Sequence, residues 1–228
     1  MAEFDRYADS YGEAVARSVS FAGQGVEYYA RLKAEHLLDL VERRLGDPAR
    51  LSALDVGCGV GITDTFLAGG FAALHGVDTA AEAIDRAGAR NPTVRYLPYD
   101  GSTLPFLDGE LDVAFAICVV HHVPPGHRHR FAVELGRVVR PGGLVVLFEH
   151  NPYNPLTRVA VSRCEFDEGV TLLSRRTASD LLTGAGLDVV ERRFIAFLPL
   201  DRPLVHRAER ALHRIPLGAQ HYVAARRG

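Results

Sequence analysis

The stretch LDVGCGVGITD, Leu54 to Asp64, sets Gly57, Gly59 and Gly61 at alternate positions behind a short apolar run, with an acid, Asp55, just upstream. Glycines admit unusual φ angles and let backbone N–H groups approach a ligand with no Cβ in the way. A dinucleotide fingerprint is GxGxxG, whose third glycine would fall at Ile62, and a P-loop needs the lysine of GxxxxGK[ST]. GxGxG without that lysine suits a ligand with a nucleoside but no phosphate; an ordinary tight turn is the other reading.

Two further acids extend the pattern. Asp78 ends the run ALHGVD, where an acid at a strand tip accepts hydrogen bonds from both ribose hydroxyls, or else starts the next helix as its N-cap. Asp100, in YLPYDGSTLPF, is placed to accept from an exocyclic amine with Leu104 or Phe106 near a flat base; an Asp-Gly turn with no ligand is the alternative. His121 and His122 follow LDVAFAICVV, and His150 ends LVVLFEH. Histidine is the natural general base near neutral pH, so we read His121 and His150 as catalytic pocket residues and His122 as packed inward. Each is equally readable as a satisfied structural histidine. In HHVPPGHRHR, His127 and His129 sit in a polar loop with no carboxylate or cysteine partner, so a solvated helix start and no metal are expected.

The elements that must position these residues alternate in type. LSALDV, ALHGVD, TVRYL, LDVAFAI and LVVLFEH are short apolar runs separated by helix-like AAEAIDRAGAR and RFAVELGRVVR, which predicts strand–helix–strand units and a mostly parallel sheet. RPGG, Arg140 to Gly143, is expected to stop one helix and turn into the next strand. TASDLLTGAGL reads as another helix, LDVVERRFIAFLP and AQHYVAAR as a final strand pair, and RPLVHRAERALHRIP between them as an amphipathic helix. Before Leu51 the spacing of Phe4, Tyr7, Tyr11 and Val15, and of Tyr29, Leu32, His36 and Leu40, is helical. We therefore expect an N-terminal helical cap or lid over residues 1–50 and one compact unit over 51–228.

The 228 residues, 47% hydrophobic, can build a substantial core, and a net charge of −2 offers no general attraction to nucleic acid or an anionic membrane. Three cysteines without a CxxC pair fit a reducing cytoplasm. The N-terminus lacks the basic start and apolar block of a signal peptide, so a cytoplasmic protein is expected. Lys33 is the only lysine, which we read as a coding bias.

LDVGCGVG, GVD, YDGSTLPF, LDVAFAICVVHHV and VVRPGGLVVLFEH, in that order, resemble the class I S-adenosylmethionine-dependent methyltransferases, small-molecule enzymes with a type 11-like domain, over about residues 50–228. The resemblance implies a Rossmann-like seven-stranded mostly parallel sheet, its last strand antiparallel, with helices on both faces. It implies that Asp55, Gly57, Gly59 and Gly61 flank the methionine part of S-adenosylmethionine, that Asp78 and Thr79 take the ribose, and that Asp100, Gly101 and Ser102 take the adenine. The backbone near Cys118 would take the methionine amino group, and the product would be S-adenosylhomocysteine. FDRYADSY and FEHNPYNPLTR further resemble a bacterial subgroup acting on small molecules. NPYNP is read as a turn whose Asn151 and Tyr153 line the acceptor pocket, joined by Tyr7 and Tyr11 of the lid. The function so implied is methyl transfer to a small-molecule hydroxyl in specialised biosynthesis by a monomer or homodimer, with no nucleic acid or membrane partner. An NAD(P)-dependent oxidoreductase and a cofactor-binding, non-catalytic partner subunit are the alternatives.

Overall fold

The computed structural model describes residues 25–164, 167, 169–197 and 212–228. Tyr7, Tyr11 and most of the expected helix in RPLVHRAERALHRIP lie outside the described residues. The elements run α1 (Val26–Leu45), β1 (Ser52–Val56), α2 (Asp64–Leu67), β2 (Ala73–Asp78), α3 (Ala81–Arg90), β3 (Arg95–Pro98), β4 (Leu111–Ile117), α4 (Arg128–Val138), β5 (Val139–His150), α5 (Pro155–Ser162), α6 (Arg175–Gly184), β6 (Leu187–Ile195) and β7 (Gln220–Arg227).

Seven strands form one sheet in the order β3-β2-β1-β4-β5-β7-β6. Neighbours among β1 to β5 pair parallel, while β7 runs antiparallel to both β5 and β6. Parallel strands are covered on both faces, which is why β1 and β4 read as nearly continuous apolar runs. One face packs Leu54, Ala114 and Val145 with Phe131 and Leu135 of α4 and Leu182 of α6. The other packs Phe115, Val146 and Phe148 with Leu37, Leu40 and Val41 of α1. The second half of the expected cap is therefore part of the main core. At its C-terminal end Arg43 and Arg44 hold Glu191 of β6, each at 2.9 Å.

RPGG departs from its expected role. It lies within β5, where Leu111 pairs with Val139 but Val113 with Leu144, so the extra residues loop out as an irregularity in the strand. A Cβ on Gly143 would sit 2.5 Å from the Asp112 carbonyl oxygen, which is why a glycine stands there. The parallel arrangement brings the carboxyl ends of β1, β2, β4 and β5 to one edge, where open sheets bind ligands.

Candidate active site

A cavity of about 680 Å³ opens at that edge, bounded by the glycine turn, the ends of β2, β4 and β5, α1 and α5. Its first lobe is built on the turn. Gly57 and Gly61 hold φ of +81° and +71°, and a Cβ would fall 2.5 Å from Val119 Cγ2 at the first and 2.7 Å from Asn91 Nδ2 at the second. Only glycine meets both demands. The helix after the turn is a single turn, α2, and side chains hold the loop instead. Tyr96 donates to Asp64 at 2.7 Å, and Asn91 Nδ2 donates to both Tyr96 Oη and the Gly61 carbonyl.

Asp78 Oδ2 accepts from the Gly59 N–H and Oδ1 from the Ala80 N–H, both at 2.9 Å, so this carboxylate ties two loops together at the cavity wall. Asp55 is buried, and its Oδ1 has no hydrogen-bond partner among the described residues. Burial first, and then the charge of Asp64, pushes its carboxyl well above the usual range. Burial likewise raises Asp64 to about 6. Thr79 and Gly101 border the same lobe. Asp100 and Ser102 border an adjoining recess and hydrogen-bond to each other: Asp100 accepts from the Ser102 and Thr103 N–H groups at 2.8 Å and from the Ser102 hydroxyl at 2.7 Å. Those three donors, the Thr103 N–H foremost, lower the Asp100 carboxyl to about 2. Phe106 is buried in the core against His75.

The second lobe gathers the histidines. His121 is buried, with Nδ1 2.5 Å from Oε2 of fully buried Glu149 and Nε2 3.3 Å from Asp167 Oδ1. Burial opposes charge on this ring, but the two carboxylates outweigh it and raise His121 to about 10. His150, whose Nδ1 lies 3.5 Å from Gln220 Nε2, is lowered to about 4, by burial and then by charged His121. His121 borders the cavity as expected, while His122, Nε2 3.3 Å from Asp167 Oδ1 and the more exposed of the pair, borders it too instead of packing inward. Cys118, between the lobes, holds φ of +58°, a backbone strain of a kind that clusters at ligand sites.

A model of a methyltransferase domain matches residues 54–147. An uncharacterized methyltransferase of Synechocystis sp. is 29% identical over 148 residues, 63% of this chain and 69% of that protein. The 2-methyl-6-phytyl-1,4-hydroquinone methyltransferase of the same organism is 33% identical over 108 residues, 46% of this chain and 33% of that one. A SAM-dependent methyltransferase of Thermotoga maritima, described as a possible histamine N-methyltransferase, superposes with a TM-score of 0.68 at 18% identity, covering 99% of this chain and 98% of that one. Residues 54–147 carry a methyltransferase domain, and the fold is that of the class I S-adenosylmethionine-dependent methyltransferases.

That domain and fold set the oxidoreductase alternative aside and make S-adenosylmethionine the cofactor of this methyltransferase. The cavity fits that group: a Cβ-free cradle, an orphaned buried carboxylate oxygen at Asp55, and a wall rich in acids suited to a sulfonium cation. Among the described residues no helix is long and apolar enough to cross a membrane.

Two expected pocket residues of the methyltransferase stand elsewhere. Asn151 is buried and donates to the Gly218 and Pro216 carbonyls at 2.7 and 3.1 Å, and Tyr153 is 65% exposed. Neither borders the cavity; Asn154 and Thr157, just beyond, do. Tyr29 of α1 also borders it. Sequence reasoning missed Lys33. It is 9% exposed, lines the cavity, and lies in electrostatic reach of Asp55, Cys118 and His150, yet makes no hydrogen bond or ion pair among the described residues. Being the chain's one lysine was the signal.

Proposed function

We propose that this methyltransferase methylates a hydroxyl of a small molecule, as a step of specialised biosynthesis. The observation that carries the reading is one cavity lined both by the glycine turn and by His121, His122, His150 and Asp167. When bound, S-adenosylmethionine supplies a methyl group on a sulfonium, already a good leaving group, so the chain's work is alignment and exclusion of water.

In this reading Gly57, Gly59 and Gly61 lay main chain against the amino-acid end of the cofactor, and Asp55 and the backbone at Cys118 receive its ammonium. Lys33 meets its carboxylate, which relieves a buried and unpartnered ammonium. Asp78 and Thr79 take the ribose, while the turn of Asp100, Gly101 and Ser102 borders the base. His150, kept neutral, accepts the proton of the acceptor oxygen, and His121, held between Glu149 and Asp167, helps position it. Tyr29 closes the cavity from the α1 side.

The test has two stages. Calorimetric titration with S-adenosylhomocysteine should show saturable binding, absent with NADH and lost in Asp78→Ala. Methyl-labelled S-adenosylmethionine is then offered with panels of hydroxyl, amine and carbon acceptors. Label on hydroxyl oxygen supports the reading, label on nitrogen or carbon overturns the choice of atom, and cofactor binding with no transfer to any acceptor favours a non-catalytic subunit.

A further inference from the structure

The polar cluster in the acceptor lobe has the form of a coordination site. His121 from the end of β4, His150 from the end of β5, and Asp167 beyond α5 each offer one ligand atom, and the three atoms lie within 4.8 Å of one another. Two ligands on one tetrahedral zinc-like ion, each ~2.1 Å from it, stand ~3.4 Å apart. His121 Nε2 and Asp167 Oδ1, at 3.3 Å, already have that spacing, and the His150 ligand atom lies within 4.8 Å of both.

A second, independent feature points the same way. Glu149 is fully buried, and its Oε2 engages Nδ1 of His121, which leaves Nε2 directed at Asp167. A carboxylate behind one imidazole nitrogen is how proteins orient a histidine whose other nitrogen binds a metal. Glu149 is itself fixed, since its Oε1 accepts the Val120 N–H at 2.8 Å. Two carboxylates thus converge on His121 in one small volume, a negative charge that a bound dication would match when His121 gives up its proton.

We propose that His121, His150 and Asp167 bind a divalent first-row transition metal whose remaining coordination positions face the acceptor lobe. Two imidazoles and a carboxylate without a thiolate suit zinc, cobalt or iron in the divalent state, and three protein ligands leave room for a substrate oxygen. The inference rests on the methyltransferase reading and deepens it: the acceptor is a compound that offers a hydroxyl oxygen to the metal, which eases loss of that hydroxyl's proton. The expectation of no metal came from the polar loop of HHVPPGHRHR and from Cys118 and His121 standing where metal-binding catechol-type relatives carry acids; the proposed ligands are drawn from other elements, and only His121 of that stretch joins the site.

The full chain, stripped with a chelator, is titrated with Co²⁺ and with Zn²⁺ by calorimetry, and the visible spectrum of Co²⁺ is followed. One equivalent should bind with micromolar or tighter affinity, with the intense visible bands of a low-coordinate cobalt site that Zn²⁺ abolishes. His150→Ala and Asp167→Asn should each weaken binding by about 100-fold, and Glu149→Gln by roughly 10–100-fold. His129→Ala, on α4 and bonded to the Gly184 carbonyl, should leave it unchanged. S-adenosylhomocysteine affinity is measured on the same samples. Cobalt binding that is absent, or that survives both His150→Ala and Asp167→Asn while S-adenosylhomocysteine still binds, overturns the metal site alone. Failure of S-adenosylhomocysteine to bind the folded wild type overturns the reading beneath it.

Discussion

Replacing Lys33 by methionine should move two observables in opposite directions. In the ligand-free protein Lys33 is 9% exposed as a residue and lines the cavity, and its ammonium makes no hydrogen bond or ion pair among the described residues. An isosteric apolar side chain removes its desolvation cost, and a gain of about 1 kcal/mol raises Tm by ~2–4 °C for a chain of this size. With cofactor product present the sign turns. A charge-assisted contact to the amino-acid carboxylate is worth ~1.5–3 kcal/mol, so Lys33→Met should weaken S-adenosylhomocysteine binding by roughly 10–100-fold. 5′-Methylthioadenosine keeps the adenosine and the sulfur but lacks the amino-acid end, so its affinity should stay within about 2-fold. Titration calorimetry on both ligands and a thermal scan supply all the numbers. Equal weakening of both ligands, an unchanged S-adenosylhomocysteine affinity, or a fall in Tm would each refute the reasoning.

Other outcomes follow from the same geometry. Gly61→Ala places a Cβ at φ +71° against Asn91 and Tyr96, and should destabilise the fold by roughly 2–4 kcal/mol in denaturant melts. His150→Ala should lower turnover at least ~100-fold while S-adenosylhomocysteine affinity holds; unchanged turnover would remove His150 from the acceptor site. Asp64 titrates at about 6 in the fold against 3.8 unfolded, so the unfolded chain loses its proton first. Ligand-free stability should therefore fall as pH rises from about 4 to 6, by at most ~3 kcal/mol, and Asp64→Asn should flatten that slope. Deleting residues 1–20 should abolish turnover with little change in Tm; equal loss of both would assign them a purely structural role.

The central strands were legible because parallel strands covered on both faces are mostly apolar, and β1 and β4 read as nearly continuous apolar runs with β2 and the second half of β5 close behind. The glycine turn was legible because its constraint is local: positive φ and bare backbone select glycine wherever they occur. RPGG was misplaced because only its pairing partner, Leu111 to Val113, reveals that the chain is already within the sheet. The acceptor lobe was the least legible part. Glu149 reads as the polar tail of an apolar run, and Asp167 as one acid among several in CEFDEG, until the fold closes both on His121. Asn151 has a side chain suited to a pocket, but its amide is spent on the Gly218 and Pro216 carbonyls, a demand set by a segment more than sixty residues away.

The acids of the first lobe also act on a cysteine of the cavity wall. Cys58, inside the glycine turn, has its thiol pushed well above the ordinary value, by burial first and then by Asp55, Asp64 and Asp78. Cys118, also on the cavity wall, is raised mainly by burial. Thiolates are the nucleophilic form of cysteine, and thiols are poor ones. A pocket made to receive an alkylating sulfonium thus keeps its own sulfurs protonated, and the carboxylates that attract the reagent also guard the protein against it.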